Sequence, residues 1–172
     1  MTVTIRPETA ADFAAIGEIA TSAFGRDNEA HLIEVLRAAP GFIPALSLVA
    51  FRDGRSVGHI LFSPVRIRTV TRNVPALALA PVAVRPEVQK RSIGSGLVRE
   101  GLSQCRRLRH RIVIVVGHAN YYPRFGFSSA RARGLEAPFP VPDASFMALE
   151  LVPGALDGVR GMVEYPPAFG VV

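Results

Sequence analysis

The stretch from Pro75 to Val116 leaves this chain few ways to fold. Pro75 to Val84 is apolar on both faces and predicts a central strand, with Pro81 inside it removing one ladder donor and predicting a bulge or an unpaired position. After the loop RPEVQKRS, the segment from Ile93 to Leu108 sets Ile93, Leu97, Gly101, Cys105 and Leu108 along one helical face. Its arginines gather toward the C-terminal end, where they favour the helix dipole. Arg111 to Val116 then reads as a second buried strand. Strand, loop, helix and strand in succession predict a right-handed parallel crossover.

The flanking sequence adds antiparallel pieces. Val3 to Ile5 is a short strand, and Thr9 with Asp12 three residues later marks a helix start. Ile16, Ile19, Ala20 and Ala23 share one helical stripe; Asn28 is placed to cap a second helix carrying Leu32, Val35 and Leu36, which Pro40 and Gly41 end. Leu46 to Arg52 and Ser56 to Arg68 are β-prone runs joined by Asp53-Gly54, a dipeptide that accepts the positive φ angles of a tight hairpin. Beyond the crossover the reading is a short helical turn at Asn120 to Tyr122, a strand near Phe127, a strand from Phe146 to Leu151 and an edge strand around Met162 to Tyr165. The remainder of the turn-rich segment 153–172 is expected to wrap the surface, covering the core or meeting a second subunit. No internal repeat or domain boundary stands out, so 1–172 reads as a single domain.

Composition narrows the function classes. Fifteen glycines and 14 prolines in 172 residues fall well short of low-complexity disorder. One cysteine, Cys105, allows no internal disulfide and no Cys-rich zinc site, which suits a reducing compartment. The opening MTVTIRPETA lacks an apolar signal core, and no run approaches the ~20 apolar residues of a membrane span. A cytoplasmic address is expected. The formal net charge is +6, and all but one of the 20 basic residues, Lys90, are arginines, so anions are the natural partners.

The loop is where chemistry gathers. A helix start offers unpaired N–H groups and a positive dipole end, and small residues at Ser92, Gly94 and Gly96 let a phosphate approach the backbone. Any strand-to-helix loop has some of these donors, so anion binding and plain packing stand side by side here. The spacing is neither a phosphate loop ending Gly-Lys-Ser/Thr nor a complete dinucleotide fingerprint.

Gln89-Lys90-Arg91-Ser92-Ile93-Gly94 resembles the central motif of the GNAT superfamily of acyl-CoA N-acyltransferases: Gln or Arg, two residues, Gly, one residue, Gly or Ala. Ser92 stands where the first glycine is usual. The resemblance covers most of the chain, and VGHANYYPRFGF and LVPGALDGVRGMVEYPPAF look like its small bacterial YhbS-like branch. It implies an α/β (α+β) fold: a central twisted mixed sheet of about seven strands flanked by helices, with two splayed parallel strands. Acetyl-CoA is the implied co-substrate, its pantetheine arm on backbone groups of Val82, Ala83 and Val84. Its pyrophosphate is implied on Gln89, Lys90, Arg91, Ser92, Ile93, Gly94, Ser95 and Gly96, with Asn120 as a further contact. Tyr122, four residues before Gly126-Phe127, matches the tyrosine that protonates the departing thiolate in many members. By residue type alone Tyr122 reads first as packing with Tyr121, Phe125 and Phe127, a preference that the family match reverses.

The implied activity is direct transfer of an acetyl group to a primary amine, from a small molecule or a peptide. A base is harder to find: histidine as a residue type titrates near neutrality, which makes His118 and His59 candidates, although each reads first as structural. Glu87 lies beside the phosphate loop, while Glu29 and Glu34 line an acceptor pocket or a solvated helix face. No histidine spacing announces a metal, no Gly-x-Ser-x-Gly elbow announces a hydrolase, and Cys105 on the apolar face reads as a small hydrophobe. Two other classes compete. A catalytically silent acyl-CoA sensor would bind without turnover; a basic nucleic-acid-binding domain would use Arg106, Arg107, Arg109 and Arg111. Neither nucleic acid nor membrane is the expected partner, and a homodimer fits enzymes of this size.

Overall fold

A computed structural model describes residues 2–171. The chain forms two compact units, the first from Met1–Ser63, Ala80–Gln104 and Pro167–Val172, the second from Pro64–Leu79 and Cys105–Pro166.

In the first unit, β1 (Val3–Pro7) pairs antiparallel with β2 (Ser47–Arg52), and β2 with β3 (Arg55–Arg68), in the register Ser47↔Leu61 to Arg52↔Arg55. The expected hairpin is present: Asp53 and Gly54 have φ of 52° and 76°. Between β1 and β2 run α1 (Phe13–Phe24) and α2 (Asn28–Arg37). The first helix is preceded by the expected Thr9 and Asp12 pairing, in which Asp12 accepts from the Thr9 N–H (2.8 Å) and from the Arg6 guanidinium (2.7 and 3.1 Å). Asn28 is not the cap of α2. Asp27 holds that position, its carbonyl accepting the first helical bond from His31 at 2.9 Å.

Ile16, Ala20, Leu32, Ile33 and Leu36 pack on Val49 and Leu61, and Ala168 and Phe169 of the C-terminal turn close the same cluster. Each buried Ile or Leu contributes about 1.5–3 kcal/mol. Strand alternation sends Gly58 and Phe62 to the other face, where α3 (Ile93–Arg107) covers them. Gly101 on α3 lies flat on the Phe62 ring, so an added Cβ would collide with Cε1 and come within 2.7 Å of Cζ. Gly101→Ala is therefore expected to destabilise by about 1–3 kcal/mol despite its better helix propensity, at roughly 2–4 °C of Tm per kcal/mol. A thermal melt checks this, and an unchanged Tm would contradict it.

In the second unit, the part of β4 (Asn73–Val84) that precedes Ala80 pairs parallel with β5 (Ile112–Val116) at Leu77↔Val113 and Ala78↔Ile114, the arrangement the crossover predicts. That pairing lies upstream of Pro81. β5 pairs antiparallel with β8 (Phe146–Glu150) over five residues, and β8 with the short β6 (Ser128–Ser129). β9 (Gly161–Glu164) is no edge strand: it pairs antiparallel with the end of β3 and parallel with β7 (Leu135–Glu136). Arg66 and Arg68 fix that register by sharing the Glu164 carboxylate at 2.7 and 2.9 Å. Nine strands are described against the expected seven or so. The two-residue β7 is too short to leave a period in the sequence.

Three further expectations are corrected. Leu108 is 44% exposed rather than on the buried stripe, because α3 stops at Arg107: Arg109 turns left-handed (φ 67°) and the His110 N–H closes on the Cys105 carbonyl at 3.0 Å. The short helical turn spans Tyr122–Phe125, later than Asn120 to Tyr122, because Pro123 suits its first turn and Gly126 (φ 101°) ends it. The C-terminal segment does more than wrap the surface, since Ala155, Leu156, Val159 and Val163 are buried.

Candidate active site

The loop from β4 to α3 is built on the hairpin beside it. Ala83 is buried with its carbonyl against Gly58, where a side chain would meet it at 3.2 Å, so Val82 and Val84 turn to the opposite face. Arg85 pins the loop exit: its N–H donates to the Val57 carbonyl (2.8 Å), its Nε donates to the Ser56 carbonyl (2.9 Å), and its guanidinium lies 3.7 Å from Glu18. The Gln89 side chain folds back and donates to the Val84 carbonyl at 2.9 Å. Lys90 and Ser92 both take positive φ, 63° and 64°, on either side of Arg91. Left-handed residues alternating with ordinary ones form backbone nests that hold anions, and here the first turn of α3 follows at once. Ser92 thus carries the strain that the usual glycine would avoid. Gly96 is engaged within the helix, donating to the Ser92 carbonyl at 3.0 Å, while Ile93, Gly94 and Ser95 hold the positions whose N–H groups a helix start leaves without an internal partner.

Asn120 and Tyr122 belong to the second unit. Asn120 is exposed in the turn after β5; Tyr122 is 7% exposed. The His118 carbonyl accepts from the N–H groups of Tyr121 (3.0 Å) and Tyr122 (3.4 Å), which fixes the turn. The Tyr122 ring lies over Gly117, where a Cβ would strike its Cε2, and meets Tyr121 and Phe127 edge-on at 5.1 and 5.7 Å. Burial, reinforced by Tyr121, pushes the Tyr122 phenol up to about 12, so it keeps its proton at neutral pH. Packing and proton donation are thus compatible in one side chain.

The candidate bases separate. His118 is exposed, Glu34 is exposed, and Glu29 is buried against Arg26 at 2.5 Å. Glu87 faces Arg55 at 3.2 Å. His59 is fully buried in a polar network that only the fold assembles: its Nε2 lies 2.8 Å from Ser47 Oγ, Ser47 Oγ donates to Glu8, and Arg37 donates twice to Glu8 at 2.7 and 3.1 Å. Since the Ser47 hydroxyl proton goes to the carboxylate, Nε2–H of His59 donates to Ser47; with burial favouring the neutral ring, Nδ1 is left as an acceptor without a partner among the described residues. The only sequence signal was a histidine on the apolar face of the run VGHILF. Cys105 is buried, and burial pushes its thiol up to about 12, away from nucleophile chemistry. Among the described residues no group of three or more His, Cys, Asp or Glu is placed to hold a metal, and no helix is long and apolar enough to cross a membrane.

This network makes acid stability testable. Burial works against the Glu8 carboxylate, but the neighbouring His59 ring, with Nε2 3.7 Å away, and the hydrogen bonds donated by Arg37 and Ser47 outweigh it and hold the pKa down at about 2; burial also lowers the His59 pKa, with Glu8 opposing. Both folded values lie below the unfolded ones. Their stabilisation is present above about pH 6.5 and is lost as pH falls, through His59 first and through Glu8 between about 4.5 and 2. Denaturant titrations should show stability falling as pH drops below neutrality, and Glu8→Gln should lose the part of that fall between about pH 4.5 and 2; an unchanged fall over that interval would contradict it.

A mixed sheet with a parallel crossover, and a nest-bearing loop opening its helix, define the fold of an acyl-CoA N-acyltransferase. Residues 4–130 match the family described as "Acetyltransferase (GNAT) domain", and the chain belongs to that family. The N-acetyltransferase YjhQ of Escherichia coli K12 is 41% identical over 133 residues, 77% of this chain and 74% of its own. The crystal structure of the GNAT family N-acetyltransferase YhbS from Escherichia coli in complex with CoA superposes with a TM-score of 0.89 at 32% identity, covering 98% of this chain and 92% of the other. A GNAT family acetyltransferase from Brucella melitensis in complex with acetyl-CoA has a TM-score of 0.79 at 34% identity, covering 98% of each chain.

Proposed function

We propose that the protein moves an acetyl group from acetyl-CoA directly to a primary amine, with residues 1–172 working as one acyltransferase domain in the cytoplasm. The observation that carries the cofactor reading is the pair of left-handed residues, Lys90 and Ser92, set immediately before α3. Those backbone donors suit a pyrophosphate, and the solved relatives bound to CoA and acetyl-CoA support the same ligand.

Backbone groups of Val82, Ala83 and Val84 hold the pantetheine arm. Gln89, Lys90, Arg91, Ser92, Ile93, Gly94, Ser95 and Gly96 hold the pyrophosphate through N–H donors and small side chains, and Asn120 adds a polar contact. The thioester supplies an activated acetyl carbonyl. As the amine nitrogen bonds to that carbon, the carbon–sulfur bond breaks, and Tyr122 donates its hydroxyl proton to the departing thiolate. No covalent enzyme intermediate is required. The acceptor is a small-molecule or peptide amine, and a second copy of the chain is the expected assembly partner.

Family membership disfavours both the silent sensor and the nucleic-acid-binding domain. A thiol-release assay over a library of primary amines tests the proposal. Amine-dependent release from acetyl-CoA is expected with at least one acceptor class. Saturable acetyl-CoA binding with no release across the library would favour the sensor.

A further inference from the structure

We infer that Arg124 is a positioning residue for Tyr122, an inference that rests on the reading of Tyr122 as the general acid. Its guanidinium folds back as a clamp on the Asn120 and Tyr121 backbone and so fixes the ring two residues upstream. All the residues concerned lie within the second unit.

The turn needs a clamp because its own backbone holds it poorly. In the four-residue helical turn Tyr122–Phe125 and its entry, a carbonyl accepts from the N–H three residues on, so the Asn120 carbonyl would take its bond from position 123. Pro123 has no N–H to give. The next bond, from the Arg124 N–H to the Tyr121 carbonyl, is long at 3.4 Å. The Arg124 side chain supplies what is missing: Nε donates to the Tyr121 carbonyl at 2.9 Å, and Nη2 reaches the Asn120 carbonyl at 3.5 Å. A planar fork can serve two carbonyls at once, which a lysine ammonium on its flexible stem does less well.

The same guanidinium lies over the Tyr121 ring, 4.6 Å from its centroid. Tyr121 in turn stands edge-on against Tyr122 at 5.1 Å, and the Tyr122 ring is seated over Gly117. Arg124 is exposed and has no carboxylate partner among the described residues, so no ion pair draws it off the turn. The chain of contacts therefore runs from the guanidinium through the Tyr121 backbone and ring to the phenol. Proton transfer needs donor and acceptor within hydrogen-bond reach, so a small displacement of that phenol costs rate without costing cofactor affinity.

Two readouts on Arg124→Ala test the clamp, beside a melting curve that shows the variant folded. Hydrogen exchange at the Tyr121 and Tyr122 amides, both bonded to the His118 carbonyl, needs no turnover and is expected to quicken by about tenfold. Thiol release from acetyl-CoA, with n-butylamine as the amine and with water alone, is expected to show kcat lower by about tenfold while calorimetric acetyl-CoA affinity stays within about threefold. In the Tyr122→Phe background the same substitution should change kcat by less than about twofold, because a ring without its hydroxyl has no proton to position. An equal fall in both backgrounds, or unchanged exchange at the two amides, overturns the inference. A Tyr122→Phe variant that keeps kcat within a few-fold sinks the acid reading and this inference with it; a slow Tyr122→Phe beside an Arg124→Ala of wild-type rate overturns the clamp alone. Where neither acceptor is turned over, exchange decides the clamp by itself.

Discussion

Tyr122→Phe is expected to lower kcat by about 10²–10⁴, the range of a general-acid contribution, while acetyl-CoA affinity stays within about twofold. The substitution removes one oxygen and keeps the ring, so the edge-on contacts with Tyr121 and Phe127 and the seat over Gly117 survive. Folding therefore does not confound the result. The phenol is held protonated, with its pKa pushed up to about 12, so wild-type activity should show no loss from Tyr122 ionisation below about pH 11. Steady-state kinetics with any acceptor that turns over, beside calorimetric affinity for acetyl-CoA, separates the roles. A packing role alone would leave kcat within a few-fold.

Gly94→Asp is expected to weaken acetyl-CoA binding by about 100-fold or more. It places a carboxylate in the first turn of α3, at the proposed pyrophosphate position, where like charges meet at close range. The same substitution is favourable to the fold: an acidic residue in the first turn complements the helix dipole, and losing a glycine inside a helix adds propensity. Lost binding at an unchanged or higher Tm is the expected signature. Lost binding with a lower Tm would show only that the variant is damaged.

The elements that were legible in the sequence are those whose signal is local. Asp53-Gly54 announced its hairpin through two residues that tolerate positive φ, and Ile112–Val116 announced its strand through uninterrupted β-branched side chains. Ser92 was legible as a departure from the family motif, but its left-handed backbone was not, because serine alone predicts no positive φ. The network of Glu8, Arg37, Ser47 and His59 was hidden for another reason: its members lie on β2, β3, α2 and the turn after β1, and only the fold brings them together. Gly117 gave no sign of its role, since the Tyr122 ring that needs its missing Cβ arrives from five residues on.

Titration of acetyl-CoA into the wild-type protein by calorimetry, with desulfo-CoA and inorganic pyrophosphate as controls, reads the proposed cofactor site itself. Saturable one-to-one binding at about micromolar affinity is expected, retained by desulfo-CoA, competed by pyrophosphate and lost in Gly94→Asp. No heat at millimolar acetyl-CoA, or binding that Gly94→Asp leaves untouched, would contradict it.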